Sequence, residues 1–176
     1  MKSRFRLAAV LLFMIVLFAT QSFAQREIKA TNSFTVSGRV KTTLTFNLED
    51  LSKYSEQDIN EIEVTKYDGT PRGILKGLKG IPILDILKQV EFDTDAPKEL
   101  SEYYLIFEGS DGYKVVYSWN EIFNSKANDE IFIVTARNGL PLKDIKEKII
   151  LVTPKDFRTG RRYVKALSKI IVKRIE

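Results

Sequence analysis

The chain contains no cysteine and no histidine. Those two absences exclude more chemistry than any single motif supplies. Without imidazole or thiolate, Ser-His-Asp and Cys-His catalysis are unavailable. No tetrahedral Cys/His set exists for structural zinc. No disulfide can form, so an oxidising compartment has to be tolerated by packing alone. Tryptophan occurs once and proline five times, and the sequence shows neither an internal repeat nor a low-complexity stretch. Chemistry is left to carboxylates, hydroxyls, amines, guanidiniums and the backbone.

The first 24 residues have the anatomy of a secretory signal peptide. Lys2, Arg4 and Arg6 form a charged start, and Leu7 to Ala19 is an unbroken apolar run. Ser22-Phe23-Ala24 then places small residues at the −3 and −1 positions of a cleavage point before Gln25. The run is too short to span a bilayer comfortably. The expectation is a periplasmic or secreted protein, cleaved after Ala24 and free of membrane contact thereafter, with residues 25–176 forming a single domain.

Setting the leader aside changes the charge balance. The remaining chain has 25 basic and 23 acidic residues, a net charge of +2. The charge is uneven, because Gln25 to Pro154 holds 17 basic and 21 acidic residues whereas Lys155 to Glu176 holds 8 and 2. An acidic body with a basic final segment suggests where an anion could sit. So small a net charge argues against nucleic acid as a partner.

The apolar spacing predicts extended structure over Ser33 to Phe46, with Gly38 as a bend. Asn47 caps a short helix whose first turn carries Glu49 and Asp50. A strand through Ile62 and Val64 closes at Asp68-Gly69, and Gly73 to Lys79 returns from it. A helix is expected to begin at Gly80-Ile81-Pro82 and a loop to run from Glu91 to Ser101. Tyr103 to Phe107 and Tyr113 to Tyr117 read as a hairpin, followed by the capping box Ser118-Trp119-Asn120-Glu121. Ile131 to Thr135, Ile149 to Val152 and Ser168 to Ile175 complete the strands, with a tight turn at Asn138-Gly139. The fold class is α+β: a strand-rich mixed sheet with two or three short helices, not an alternating βαβ array.

The segment from Lys155 to Tyr163 is the most suggestive chemically. Lys155, Arg158, Arg161 and Arg162 cluster near Gly160, directly after a strand and Pro154. Paired guanidinium N–H groups could clamp a phosphate or carboxylate. The competing reading is a solvated basic loop whose charges pair with the acidic body. Arg137, at the end of a buried strand, could reach the same site or decorate a plain turn. No calcium-loop pattern surrounds the carboxylates, and no pair of them stands out as a glycosidase couple.

The pieces also have a familiar order. Gly77-x-x-Gly80-Ile81-Pro82-Ile83-Leu84-Asp85-Ile86-Leu87, the Asp111-Gly112-Tyr113 strand, Asn138-Gly139-Leu140-Pro141-Leu142, and Leu151-Val152-Thr153-Pro154 followed by Arg162-Tyr163-Val164-Lys165 resemble motifs of the molybdopterin-binding oxidoreductase domains of the sulfite oxidase type. Val36 to Leu51 resembles the opening of those domains. The resemblance implies their fold over nearly all of residues 25–176. It also marks a departure. Those enzymes ligate molybdenum through a Cys before the Gly80 helix, whereas Glu61 to Gly80 contains none and offers Lys66, Tyr67 and Asp68 at the strand end. Asp68 is a poor substitute for a soft thiolate.

Two functions follow as expectations. The first is a non-catalytic domain without metal or cofactor, binding an anionic small molecule or a protein partner through Arg137, Lys155, Arg158, Arg161 and Arg162. The alternative is an oxidoreductase subunit that holds molybdopterin without a Cys ligand.

Overall fold

A computed structural model describes residues 27–125 and 130–176; the expected signal peptide lies outside the described residues. Two sheets and a separate hairpin make up the fold. The first sheet runs β2-β1-β12-β7-β8, built from β1 (Ser33–Gly38), β2 (Leu44–Asn47), β7 (Tyr103–Gly109), β8 (Lys114–Ser118) and β12 (Leu167–Arg174). Its pairings are antiparallel except β1 with β12, which is parallel. The second sheet runs β10-β9-β6-β3, with β9 (Phe132–Arg137) at its centre, β6 (Leu78–Pro82) and β3 (Gln57–Ile59) on one side, and β10 (Leu140–Pro141) on the other. The short β11 (Leu151–Val152) also pairs with β9. Strands β4 (Ile62–Thr65) and β5 (Pro71–Leu75) form a hairpin of their own.

Side-chain alternation explains the first sheet. In β7, Tyr103, Leu105 and Phe107 point inward while their neighbours are half-exposed. The second sheet differs because both its faces are covered. Ile131 and Ile133 belong to the main core, whereas Phe132 and Val134 belong to a second apolar cluster with Ile59, Ile62 and Ile150. That two-sided burial is why Ile131 to Val134 is a continuous apolar run rather than an alternating one. The second cluster also seats Leu75 and Tyr163, and so anchors the β4–β5 hairpin beside the basic segment.

Among the described residues, three short α-helices fill the joints: α1 (Leu48–Leu51), α2 (Ile83–Leu87) and α3 (Trp119–Phe123). Both expected caps form. Asn47 Oδ1 accepts from the Asp50 N–H at 2.9 Å, and Ser118 Oγ accepts from the Glu121 N–H at 3.2 Å. Each has the reciprocal carboxylate bond of a capping box.

The structure corrects several boundaries. Residues expected as one return strand split at Gly77, where φ is +54°, into β5 and β6, which join different sheets. Gly80-Ile81-Pro82 is not the start of a helix. It lies in β6, paired with β3 and β9, and α2 begins only at Ile83. Gly80 is squeezed between strands, for a Cβ there would meet Ile59 Cδ1 at 2.7 Å and the Ile133 carbonyl at 2.9 Å. Ladder bonds on both sides outweigh the local helix signal. The expected loop from Glu91 contains a 3-10 turn, Pro97–Glu102, and β3 is a strand that the apolar spacing did not announce.

Gly38 is a bend, as expected, with φ +100° and the Val172 carbonyl where a Cβ would stand. Gly38→Ala should therefore lower unfolding free energy by about 2 kcal/mol or more in urea denaturation, whereas Gly139→Ala, with nothing near it, should cost only its positive-φ strain.

Candidate functional site

The basic segment lies against the outer edge of β4, and one residue joins them. Thr159 Oγ1 accepts from the Thr65 N–H at 3.1 Å and donates to the Glu63 carbonyl at 2.5 Å, filling edge positions that a neighbouring strand would occupy. Gly160 follows, so close to the Thr65 carbonyl that any Cβ would collide with it. A 3-10 turn, Thr159–Arg162, then carries the arginines past the hairpin.

This placement separates the five expected residues. Arg161 lines an open cleft of about 420 Å³ between the hairpin turn and the basic segment. Its Nη2 donates to the Tyr67 carbonyl at 3.2 Å, and its own carbonyl accepts from the Tyr113 hydroxyl at 2.6 Å. Arg158 stands at the rim, its guanidinium over Gly69 and donating to the same Tyr67 carbonyl at 3.3 Å. The other three are held by carboxylates. Arg137 bonds Glu147 at 3.1 Å with both side chains largely buried, and sits behind Tyr163. Lys155 pairs with Glu130. Arg162 bonds Asp156 through two nitrogens, Nε at 2.7 Å, and reaches Glu121 through Nη1 at 3.0 Å.

Lys155 and Arg162 therefore face a different hollow, beside Thr153 and Glu121. Glu130 and Glu121, which meet Lys155 and Arg162, belong to the acidic body, whereas Asp156 lies in the basic segment itself. Arg162 also covers the Tyr117 ring, its guanidinium carbon 4.6 Å from the centroid. Its hydrogen bonds to Asp156 hold the guanidinium even more firmly protonated than usual, against the cost of burial.

The cleft has members that the sequence did not single out. Lys66, Arg72 and Lys165 line it with Arg161, together with Tyr67, Tyr113 and Tyr163. Among the described residues lining it, Asp111 supplies the single carboxylate. Lys66, Arg72, Arg158 and Arg161 make no ion pair among the described residues, and Lys165 has only a long contact to Glu147 at 3.8 Å. Burial first, and then the Glu147 carboxylate, push the Tyr163 phenol above its ordinary pKa. Lys66 stood in the sequence at the strand end resembling a metal-ligand position, but Arg72 had no signal, because only the β4–β5 pairing turns it toward the same cleft. Asp68 closes its own turn. Its Oδ1 accepts from the Thr70 N–H at 2.9 Å and the Thr70 hydroxyl at 2.8 Å, the backbone bond being the larger cause of its lowered pKa.

No known protein family matches the sequence, and no curated protein matches it. Solved structures are more informative. The crystal structure of the sulfane dehydrogenase SoxCD from Paracoccus pantotrophus superposes over 88% of this chain with a TM-score of 0.59 and 14% identity. The fold is of the sulfite oxidase type. The match covers 41% of the SoxCD chain, so the likeness concerns a core fold within a longer protein.

Two tests follow from this geometry. Arg162→Ala should destabilise the protein by about 1–3 kcal/mol because it strands Asp156 and uncovers Tyr117. Arg162→Lys should not restore the loss, since one ammonium cannot reproduce the forked contacts. Urea melts of both variants measure this. Tyr117, bonded to Thr153 at 2.6 Å in the interior, has its phenol pKa raised to about 12, chiefly by burial. Its folded pKa lies above the unfolded value of 10.0, so its contribution is complete below pH 10 and is lost as pH rises toward 12. Wild type should lose roughly 2–3 kcal/mol more over that window than Tyr117→Phe, read from denaturation at the two ends.

Proposed function

We propose that the protein is an exported, non-catalytic binding module of the sulfite oxidase-type fold. Its cleft between the β4–β5 turn and the Thr159–Arg162 turn takes a small anionic molecule. Convergence of four cations, Lys66, Arg72, Arg161 and Lys165, on one cleft supports this most directly. The volume of about 420 Å³ is that of a small-ligand site. Three tyrosines supply flat apolar wall, and the guanidiniums of Arg72 and Arg161 can offer paired N–H donors to a phosphate or carboxylate.

The residues present do not suit a molybdenum centre. At the strand end where enzymes of this fold type place a thiolate stand a cation, Lys66, and an exposed phenol, Tyr67. The nearby carboxylate, Asp68, is spent on closing its own turn. A lysine ammonium repels a metal cation and attracts the anionic part of a ligand. No redox step is therefore derived, and the cleft's chemistry is charge pairing and orientation.

Thermal-shift measurements with inorganic phosphate, small carboxylates and pterins test the proposal. At least one anion should raise the wild-type melting temperature, and Arg161→Ala and Arg72→Ala should each weaken its binding by about 10- to 150-fold. An unchanged melting temperature with every anion, or variants that respond like wild type, would overturn it. Stoichiometric molybdenum, after expression in a host that makes the cofactor, would restore the enzyme alternative. Export is tested by intact mass, expected to begin at Gln25.

A further inference from the structure

The rim of the cleft also presents aromatic side chains to solvent. Phe157 is completely exposed and Tyr67 is 76% exposed, while Tyr113, which lines the cleft with Tyr67, is also exposed. A single exposed aromatic is ordinary. These three, however, are tied to one small region. Arg158, next to Phe157 in the chain, and Arg161 both donate to the Tyr67 carbonyl, and Tyr113 donates to the Arg161 carbonyl.

The same region holds Lys66, Arg72, Arg158 and Arg161, which make no ion pair among the described residues. Elsewhere the described arginines are paired: Arg39 with Asp93, Arg137 with Glu147, Arg162 with Asp156, and Arg174 with Glu99 and Glu102. The rim is made of a hairpin turn and a 3-10 turn.

We propose that this rim docks on an anionic lipid surface. Phe157 enters the headgroup–acyl boundary, Tyr67 and Tyr113 lie at headgroup depth, and Arg158, Arg161, Lys66 and Arg72 face lipid phosphates. Aromatic side chains with an apolar body and polar tip favour that depth, and clustered Lys and Arg add attraction that falls off within a Debye length. Contact is peripheral, since no described helix is long and apolar enough to cross a membrane. This departs from the sequence-based expectation of no membrane contact, which weighed apolar runs and had no access to which aromatics stay in water. It does not require the cleft to hold a soluble anion.

Flotation of the leader-free protein with vesicles of phosphatidylcholine, with and without phosphatidylglycerol, decides the matter. The protein should float with the anionic vesicles, stay behind with the neutral ones, and be released by added salt. Phe157→Ser should lower the partition coefficient by roughly 10-fold or more, and Arg158→Ala by about 5-fold. Ile175→Ser, an exposed apolar residue near Glu102 at the far end of β12, should change nothing. No flotation with anionic vesicles, flotation insensitive to Phe157→Ser, or binding to polyglutamate in place of vesicles would each overturn the proposal. Phosphate thermal shifts on Phe157→Ser separate the two sites. A retained shift without flotation in wild type sinks the lipid surface alone, and flotation without any anion shift sinks the cleft alone.

Discussion

A residue without a side chain sets the position of the basic segment. Gly160 lies where any Cβ would occupy the space of the Thr65 carbonyl, and only that closeness allows Thr159 to satisfy both the Thr65 N–H and the Glu63 carbonyl. Everything on the cleft side follows. With the turn held on the β4 edge, Arg161 and Arg158 share the Tyr67 carbonyl. Arg162, one residue later, is carried the other way toward Asp156 and Glu121. Adjacent arginines thus serve different ends, one lining a cleft and the other binding the segment to α3.

Charge is divided in the same manner. Arg162 and Arg137 are partly desolvated, and each has a carboxylate to offset that loss. Arg162 even joins the capping box of α3, since Glu121 accepts from Ser118 with one oxygen and from Arg162 with the other. Around the cleft, Lys66, Arg72, Arg158 and Arg161 have no such partners among the described residues, and Lys165 has only the long contact to Glu147.

Much of the fold was legible in the sequence because its signals are short-range. The N-cap at Asn47, the capping box at Ser118, the bend at Gly38, the hairpin strand Tyr103 to Phe107 and the β-branched run at Ile131 each depend on neighbours a few residues away, and each took the expected form. Gly80 to Pro82 went the other way. Glycine and proline before an apolar stretch read as a helix start, yet β3 and β9 claim those residues from either side. The same blindness applied to β3, three residues long, whose pairing with β6 is its reason for being a strand.

For the site, composition alone determined which chemistries were possible. A chain without thiol or imidazole is left with cationic, phenolic and carboxylate groups, and the concentration of positive charge after Lys155 was visible as a count. Which of those charges remain available could not be counted, because availability depends on partners distant in sequence. Glu147, Glu130 and Asp156 neutralise Arg137, Lys155 and Arg162, while Arg72 arrives from another hairpin to stand with Arg161. The sequence by itself determined the kinds of group and the local turns. Only the tertiary structure decided which groups are spent on one another and which face open space, since an ion pair is a matter of a few ångströms between residues that the chain order does not relate.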